Sequence, residues 1–288
     1  METKKEKLTI LVCAHKQDEH IRNYPPYKAI QVGAALHPEM DLGFLKDNVG
    51  ENISEKNPKY CELSAIYWGW KNLKNVEYVG LAHYRRYFDI DINEENVDKY
   101  FKNNDIITLE RWYESCPIIQ KIQELTTMED VHIFFDTLLM IHPEYKKTII
   151  KYCYNSFRFY RCTMFIAKKK TYDQFCETFF PVFFKTEERL KTHSYSRLNR
   201  AIAYFGELSL GLFIEHNKLS VHYVKPIEYT NNDQCKKRIH FGIKSKCIRY
   251  KRLIGFYLFR NKYSKLSPYS AVNVGFLQDG IELNHYLE

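Results

Sequence analysis

The chain has 288 residues, of which 45% are apolar and 16% are aromatic. A chain of this length and composition buries a substantial hydrophobic core, which excludes a protein disordered throughout. No uninterrupted apolar run approaches the ~20 residues of a membrane-spanning helix. The eight cysteines include no C-x-x-C pair. This spacing indicates neither a zinc site nor a redox motif, and it favours unpaired thiols in a reducing cytoplasm.

The net charge of +8 comes entirely from the C-terminal segment. Residues 234–278 contain 11 Lys or Arg and no Asp or Glu, whereas the remainder has 32 basic and 35 acidic residues. An apolar stripe at helical spacing accompanies these cations: Ile243, Cys247, Tyr250, Ile254, Tyr257 and Leu258. The pattern predicts a basic amphipathic helix that binds an anionic membrane surface, with nucleic acid or simple packing on the main domain as the alternatives.

The order of predicted elements is an alternation of strands and helices. The apolar run after the basic N-terminus ends without a small-residue cleavage site, so it predicts a first strand and not a signal peptide. Strands are predicted at residues 8–14, 29–33, 78–83, 105–109, 160–167 and 219–225. Helices are predicted at residues 58–73, 128–141, 144–154, 171–191 and 195–215, with Pro181 expected to kink or divide its helix. The alternation favours an α/β fold with a mostly parallel sheet.

Residues 57–88, NPKYCELSAIYWGWKNLKNVEYVGLAHYRRYF, hold the most informative pattern. Asn57 suits a helix N-cap and Pro58 the first helical position. After the helix, a short apolar run predicts a buried strand, and His83, Arg85 and Arg86 follow its carboxyl end. Open α/β sheets bind ligands at that end, and three potential cations suit a diphosphate.

YCELSAIYWGWKN followed by YVGLAHYRRYF resembles a bacterial family from capsule, exopolysaccharide and O-antigen gene clusters, whose members are regarded as glycosyltransferases. The resemblance extends upstream through ILVCAHK, IQVGA and DNVGENISEKN, and more loosely downstream to about residue 225. It implies a GT-A-like nucleotide-sugar-binding α/β sandwich. It also implies a hexosyltransferase of lipopolysaccharide or capsule synthesis that moves a sugar from a nucleotide diphosphate to a lipid-linked saccharide. Some relatives look like galactofuranosyltransferases, which makes UDP-galactofuranose one candidate donor and favours inversion.

The candidate donor-binding residues lie in the first third of the chain. Those that the motifs supply are His15, Lys16, Asp47, Asn52, Glu62, His83, Arg85 and Arg86. His15 and Lys16 follow the first strand, where they either line the ligand or simply face water. Glu62 either approaches the sugar or stabilises a helix N-terminus. Arg85 is also a catalytic candidate, because a guanidinium pairs bidentately with phosphate oxygens.

Metal binding is a separate question. Asp89 and Asp91 have the D-x-D spacing with which many GT-A enzymes hold Mg²⁺ or Mn²⁺, but they follow the predicted strand end by six residues or more. The HYRR cations are expected to substitute for a metal. The sequence therefore predicts no required cofactor, with Mg²⁺ or Mn²⁺ as an option at these two weak candidates.

The acceptor candidates are later in the chain. His132 and Asp136 share one helical face, where they hydrogen-bond an acceptor sugar, bind a metal or pair with each other. Arg200 is the third acceptor candidate, and Glu207 is the candidate general base because its apolar neighbours would raise its pKa. A surface salt bridge is the alternative for Arg200 and Glu207.

The sequence thus predicts a glycosyltransferase domain at residues 1–229 and a membrane-associating tail at residues 230–288. The expected location is the cytoplasm, peripheral on the inner face of the plasma membrane. Fewer features of the sequence support two other functional classes. These are a nucleic-acid-binding protein acting through the basic, aromatic tail, and a non-catalytic glycan-binding module. Nucleic acid is not an expected partner, because no recognised nucleic-acid motif precedes the tail.

Overall fold

The computed structural model describes residues 6–114, 116–191, 198–229, 235–237, 247, 250–255 and 257–258. Their contacts divide the chain into two compact units. The first unit comprises residues 1–110, 162–178 and 219–238, and the second comprises residues 111–161, 179–218 and 239–288. The predicted division after residue 229 stays a prediction, and residues 111–161 and 179–218, within the predicted first domain, belong to the second unit.

The strands and helices alternate along the described residues. The strands are β1 (Glu6–Ala14), β2 (Tyr27–Gln31), β3 (Leu45–Lys46), β4 (Val76–His83), β5 (Arg86–Phe88), β6 (Ile106–Leu109), β7 (Trp112–Tyr113), β8 (Arg158–Phe159), β9 (Phe165–Lys168), β10 (Val221–Val224), β11 (Pro226–Tyr229) and β12 (Cys235–Lys237). The helices are α1 (Asn57–Tyr60), α2 (Leu63–Asn72), α3 (Val97–Phe101), α4 (Ile118–Gln123), α5 (Met128–Ile141), α6 (Lys146–Ile149), α7 (Lys169–Arg189) and α8 (Ala201–Asn217).

A mixed sheet forms the centre of the first unit, with the strand order β10-β6-β9-β4-β1-β2-β3. Strand β9 is antiparallel to both of its neighbours, whereas the pairs β4–β1, β1–β2, β2–β3 and β10–β6 are parallel. The predicted α/β class with a mostly parallel sheet is confirmed. A small antiparallel extension, β5–β11–β12, branches from the end of β4.

The central strands β1 and β4 are buried along most of their length, as their apolar sequences predict. Residues 8–14 of β1 are all buried, and so are residues 78–82 of β4. A strand covered on both faces needs a continuous apolar run in place of the alternating pattern. The apolar sequences of β1 and β4 therefore reflect their position in the middle of the sheet.

The helix predicted at residues 58–73 is interrupted. Helix α1 ends at Tyr60, and Cys61 has a positive φ of 48° before α2 begins at Leu63. The side-chain amide of Asn57 compensates for this break, because it donates hydrogen bonds to the Cys61 carbonyl and to the Ser64 hydroxyl, each at 2.9 Å. The break places Glu62 at the start of a new helix.

Two other helix predictions have contrasting outcomes. Helix α5 has the predicted bounds and begins with a capping box between Thr127 and Asp130. Helix α7, in contrast, continues through Pro181, which does not divide it. The carbonyl that loses its intrahelical partner is that of Glu177, which is exposed, so water can satisfy it. The predicted start of the last helix, at residues 195–197, lies outside the described residues.

The carboxylate of Asp47 joins three segments of the first unit. It is fully buried and accepts hydrogen bonds from the backbone N–H groups of Gly33 and Ala34 at 2.9 and 3.0 Å. It also accepts hydrogen bonds from the hydroxyls of Ser54 and Ser64. Gly33 has a φ of 71°, and a Cβ there would lie 2.9 Å from an atom of the Asn57 side chain. Asp47 thus fixes the end of β2 against the loop at Ser54 and the first turn of α2.

Replacement of Asp47 by alanine is expected to destabilise the protein strongly. Two backbone N–H groups and two hydroxyls would lose a buried charged acceptor, and a buried group left without its partner costs ~1–3 kcal/mol. We expect Asp47→Ala to lower the free energy of unfolding by at least ~3 kcal/mol in urea titrations at pH 7. The matched control is Asp41→Ala, which removes an exposed carboxylate from the same region and should change stability little. Equal losses of unfolding free energy in the two variants would contradict the structural role of Asp47.

Candidate functional site

The carboxyl ends of β1, β2 and β4 meet at one edge of the sheet. Cys13 of β1 lies opposite His83 of β4, and Ala14 lies opposite Gln31 of β2. His15 and Lys16 follow β1 and are exposed at this edge. The structure therefore brings the residues after β1 and β4 together, at the position where α/β sheets bind nucleotides.

Two consecutive residues before β9 adopt left-handed backbone conformations. Cys162 has a φ of 72° and Thr163 a φ of 41°. Neither is glycine, and such conformations are costly enough that they cluster at functional sites. They persist only where the surrounding contacts hold them in place.

Three side chains at the sheet edge hold this pair. The His83 Nε2 atom lies 2.8 Å from the Cys162 carbonyl, and the Thr163 hydroxyl donates to the Glu62 carboxylate at 3.2 Å. Arg86 Nη1 lies 3.4 Å from Cys162 Sγ. Glu62, His83 and Arg86 were predicted from motifs that are close in sequence, but Cys162 and Thr163 were not. Their signal in the sequence is only a Cys-Thr step before a short apolar strand, which is too common to identify a site.

His83 does not contribute a positive charge at neutral pH, contrary to the sequence-based expectation. Burial, assisted by repulsion from Arg86, lowers its pKa from 6.5 to about 4. The hydrogen bond with the Cys162 carbonyl opposes this shift but does not cancel it. A carbonyl oxygen cannot donate, so His83 must carry its proton on Nε2. His83 therefore acts as a neutral hydrogen-bond donor that positions Cys162.

The two arginines of the HYRR motif have different environments. Arg85 uses Nε and Nη2 to contact the same carboxylate oxygen of Asp18, each at 2.6 Å, and the Asp18 side chain is only 5% exposed. Burial opposes the ionisation of Asp18. Hydrogen bonds from the His20 backbone and from Arg85 outweigh it and lower the pKa of this carboxyl. Arg86 is 45% exposed and lies 3.6 Å from Glu228. Arg86 is thus the more accessible cation of the pair.

The remaining candidates of the first unit differ in role. Asp47 is buried and accepts four hydrogen bonds within the protein, as described above. Asn52 stabilises its own loop through hydrogen bonds with the Gly50 carbonyl and the Ser54 backbone N–H. Asp89 and Asp91 are exposed after β5. Within the described ranges, no group of three or more His, Cys, Asp or Glu side chains is arranged to hold a metal ion.

The acceptor candidates and the candidate base belong to the second unit. His132 is 3% exposed within α5, and burial lowers its pKa to about 4. Asp136, on the same helix, forms an ion pair with Arg189 at 2.6 Å, in which the Asp136 side chain is only 4% exposed. Arg200 is exposed immediately before α8, and Glu207 is half-buried within it. Asp136 thus pairs with Arg189, a residue that the sequence did not indicate, and not with His132 as one predicted alternative had it.

His83 is expected to stay uncharged well below neutral pH. We expect ¹⁵N NMR of the ring nitrogens to show the neutral form, protonated at Nε2, at pH 6, with His83→Gln used to assign the signals. Because its folded-state pKa is lowered, the unfolded chain takes up this proton first as the pH falls. His83 therefore lowers the free energy of unfolding progressively as the pH falls from 6.5 to about 4. It has no such effect above pH 6.5. A titration midpoint near 6.5 in the folded protein would contradict the proposed role.

Comparison with known proteins adds three findings. The family model described as "Domain of unknown function (DUF4422)" matches residues 9–218. No protein with a curated description matches the sequence. Among solved structures, the chain is similar to the apo structure of the bifunctional glycosyltransferase WbbM, with a TM-score of 0.72 and 24% sequence identity.

The similarity to WbbM covers 78% of this chain and 46% of that protein, so the chain spans about half the length of its structural neighbour. At this level of identity the likeness shows a common fold. It agrees with the GT-A-like architecture expected from the motifs, whose mixed sheet is described above. The match over residues 9–218 establishes the family, and the chain belongs to the DUF4422 domain family.

Proposed function

We propose that the chain is a glycosyltransferase that binds a nucleotide-activated sugar at the carboxyl edge of β1, β2 and β4. The observation that carries this proposal is the left-handed pair Cys162–Thr163, held by His83, Arg86 and Glu62 at that edge. A strained backbone held by several polar contacts is typical of a ligand site. The fold of WbbM and the capsule and O-antigen motifs support the same class of activity.

The proposed reaction is direct displacement at the anomeric carbon of the donor sugar. An acceptor hydroxyl forms the new glycosidic bond while the bond to the nucleotide diphosphate breaks, and the diphosphate leaves with the bonding electron pair. Arg86 and Lys16 are the exposed cations at this edge, and they stabilise the charge on the departing diphosphate. Arg85 is oriented by Asp18 and adds its positive charge at the same edge.

The finer assignments extend the proposal. The donor is a nucleotide-diphosphate hexose, with UDP-galactofuranose as the leading candidate, and transfer inverts the anomeric centre. The acceptor is a lipid-linked saccharide of surface polysaccharide synthesis. Glu207 as the general base and Arg200 as an acceptor-binding residue stay predictions, whereas the burial of His132 and Asp136 opposes their direct contact with a saccharide. These assignments follow from the family resemblance and from residue chemistry.

The charges at the proposed donor site affect whether a divalent metal ion is needed to neutralise the donor diphosphate. Arg85 is paired with Asp18, Arg86 lies near Glu228, and His83 is neutral. The HYRR segment therefore supplies less net positive charge than its sequence indicates. Mg²⁺ or Mn²⁺ held by the donor diphosphate with Asp89 or Asp91 remains an option, and activity that persists in part without metal remains the prediction.

The donor is identified by a binding screen. We expect one of UDP-, GDP-, dTDP- or CMP-sugars to raise the melting temperature of the protein, because a ligand that binds only the folded state stabilises it by mass action. The screen is run with and without EDTA, which tests the metal prediction in the same experiment. Loss of all binding in EDTA, with rescue by Mn²⁺, would overturn the prediction of metal-independent binding. If no nucleotide sugar stabilises the protein or supports transfer, the proposed function is wrong.

Arginine variants test the diphosphate role. Arg86→Ala is expected to reduce kcat/KM for the identified donor by ~10²–10³, the usual effect of losing one preorganised donor to a developing charge. Asp18→Asn should also reduce it, because Arg85 loses the carboxylate that orients it. The matched control is Arg158→Ala, which removes an exposed arginine from the second unit and should leave the rate unchanged. Full activity of the double variant Arg85→Ala/Arg86→Ala would exclude a role of these arginines in binding the diphosphate.

We also propose that the C-terminal segment binds the anionic membrane surface that carries the acceptor. Residues 247, 250–255 and 257–258 are helical. Four apolar side chains on one helical face are 56–71% exposed: Tyr250, Ile254, Tyr257 and Leu258. Ile243, the first residue of the predicted stripe, lies outside the described residues. Within the part of the chain that the structure describes, no helix is long and apolar enough to cross a bilayer.

Arg252 explains why the apolar stripe is accessible. Its guanidinium donates to the backbone carbonyl of Tyr113 and lies 5.9 Å from the ring of Trp112. The helix thus contacts its own unit through a basic residue, while the apolar side chains face solvent beside the exposed Lys251. An apolar face flanked by cations is the pattern of a helix that lies in the membrane interface.

The double variant Ile254→Ser/Leu258→Ser is expected to lose membrane binding. Burial of an Ile or Leu side chain contributes ~1.5–3 kcal/mol, so we expect at least a tenfold weaker association with vesicles that contain phosphatidylserine. Salt should also weaken the binding of the intact chain. Val49→Ser, which changes a side chain that is 63% exposed in the first unit, is the matched control. If vesicle binding is the same in the double variant and does not depend on lipid charge, the proposed membrane binding by the C-terminal segment is wrong.

A further inference from the structure

A cavity lies in the first unit at the starting ends of β1 and β2. Its volume is about 350 Å³, and the residues that matter for its chemistry are Glu6, Leu8, Tyr24, Pro26, Lys28 and Glu94. Cavities that bind small ligands have volumes of ~300–1,000 Å³, so this one suits a ligand of one or two sugar rings.

The cavity is separate from the candidate donor site. Glu6 and Leu8 are at the beginning of β1, whereas Ala14 ends the same strand at the opposite edge of the sheet. A strand rises ~3.3 Å per residue, which places the two edges roughly 25 Å apart. A ligand in this cavity therefore does not occupy the proposed site of transfer.

The apolar part of the cavity combines a buried floor with an exposed aromatic ring. Leu8 and Tyr27 are almost fully buried, and Pro26 is buried beside them. Tyr24 is 56% exposed, and its ring lies 6.0 Å from that of Tyr27 in an edge-on arrangement. An exposed tyrosine offers a large, rigid apolar surface together with a hydroxyl.

The polar part provides both acceptors and donors. The Glu6 carboxylate pairs with the Lys28 ammonium group and accepts a hydrogen bond from the Thr9 hydroxyl at 2.7 Å. Glu94 Oε1 accepts a hydrogen bond from the Lys7 backbone N–H at 3.0 Å, which anchors this side chain at the cavity wall. The cavity thus presents fixed carboxylates and an ammonium group beside an apolar surface.

We infer that this cavity is a second binding site, for a neutral saccharide. Sugar hydroxyls both donate and accept hydrogen bonds, which matches a wall with carboxylates and an ammonium group, and the apolar face of a sugar ring can pack on Tyr24. Phosphorylated ligands are disfavoured by the two carboxylates, and acyl chains by the charged wall. The inference rests on the proposed function for the source of the saccharide, which is the growing glycan held away from the transfer site.

A glycan array of neutral oligosaccharides, probed with the full chain, tests the inference. The strongest hit is then measured by isothermal titration calorimetry. We expect Tyr24→Ala to weaken its binding at least tenfold, Tyr24→Phe to retain most of it, and Glu94→Gln to weaken it several-fold. Tyr223→Ala, which removes another exposed tyrosine of the first unit outside the cavity, should bind as the unchanged protein does.

The outcomes separate this inference from the proposed function. Arg86→Ala is expected to lose binding of the nucleotide-sugar donor but to bind the saccharide as before. Tyr24→Ala, in contrast, should still be stabilised by the donor in the thermal-shift screen. Saccharide binding without any nucleotide-sugar binding would support the cavity and overturn the proposed function. The inference is overturned if no neutral oligosaccharide binds, or if the hit binds equally well to Tyr24→Ala and Glu94→Gln.

Discussion

The buried carboxylate of Asp47 is the constraint on which the geometry of the candidate site depends. It holds the end of β2 and the first turn of α2 at fixed positions, through Gly33 and Ser64. Because α2 begins at that turn, the carboxylate also sets the place of Glu62, which accepts the hydrogen bond of Thr163. One buried acceptor is therefore connected, through a single helix turn, to the strained backbone at the sheet edge.

Charge at this edge is organised by pairing. The ion pair of Arg85 with Asp18 orients one guanidinium, while His83 remains neutral and supports the Cys162 carbonyl. This arrangement lowers the net positive charge at the edge but fixes the orientation of the Arg85 guanidinium. Preorganised donors are more effective than mobile ones at stabilising developing charge, because they need not reorient during reaction.

The sequence predicts the fold better than the site. Hydrophobic runs identify β1 and β4, and the predicted bounds of α5 agree with the structure, because these signals are local. The break at Cys61 and the left-handed Cys162–Thr163 pair depend on partners elsewhere in the chain, and Thr163 is 101 residues from Glu62. Local propensity carries no information about such contacts. The charge of His83 was misjudged for the same reason, since its burial depends on tertiary structure.

The division of the chain into two units has a consequence for how this protein can be recombined. Each unit is assembled from three separate stretches of sequence, so the backbone passes from one unit to the other five times, once within α7. No single cut in the gene yields either unit alone. Gene fusion and exchange between relatives must therefore carry both units together.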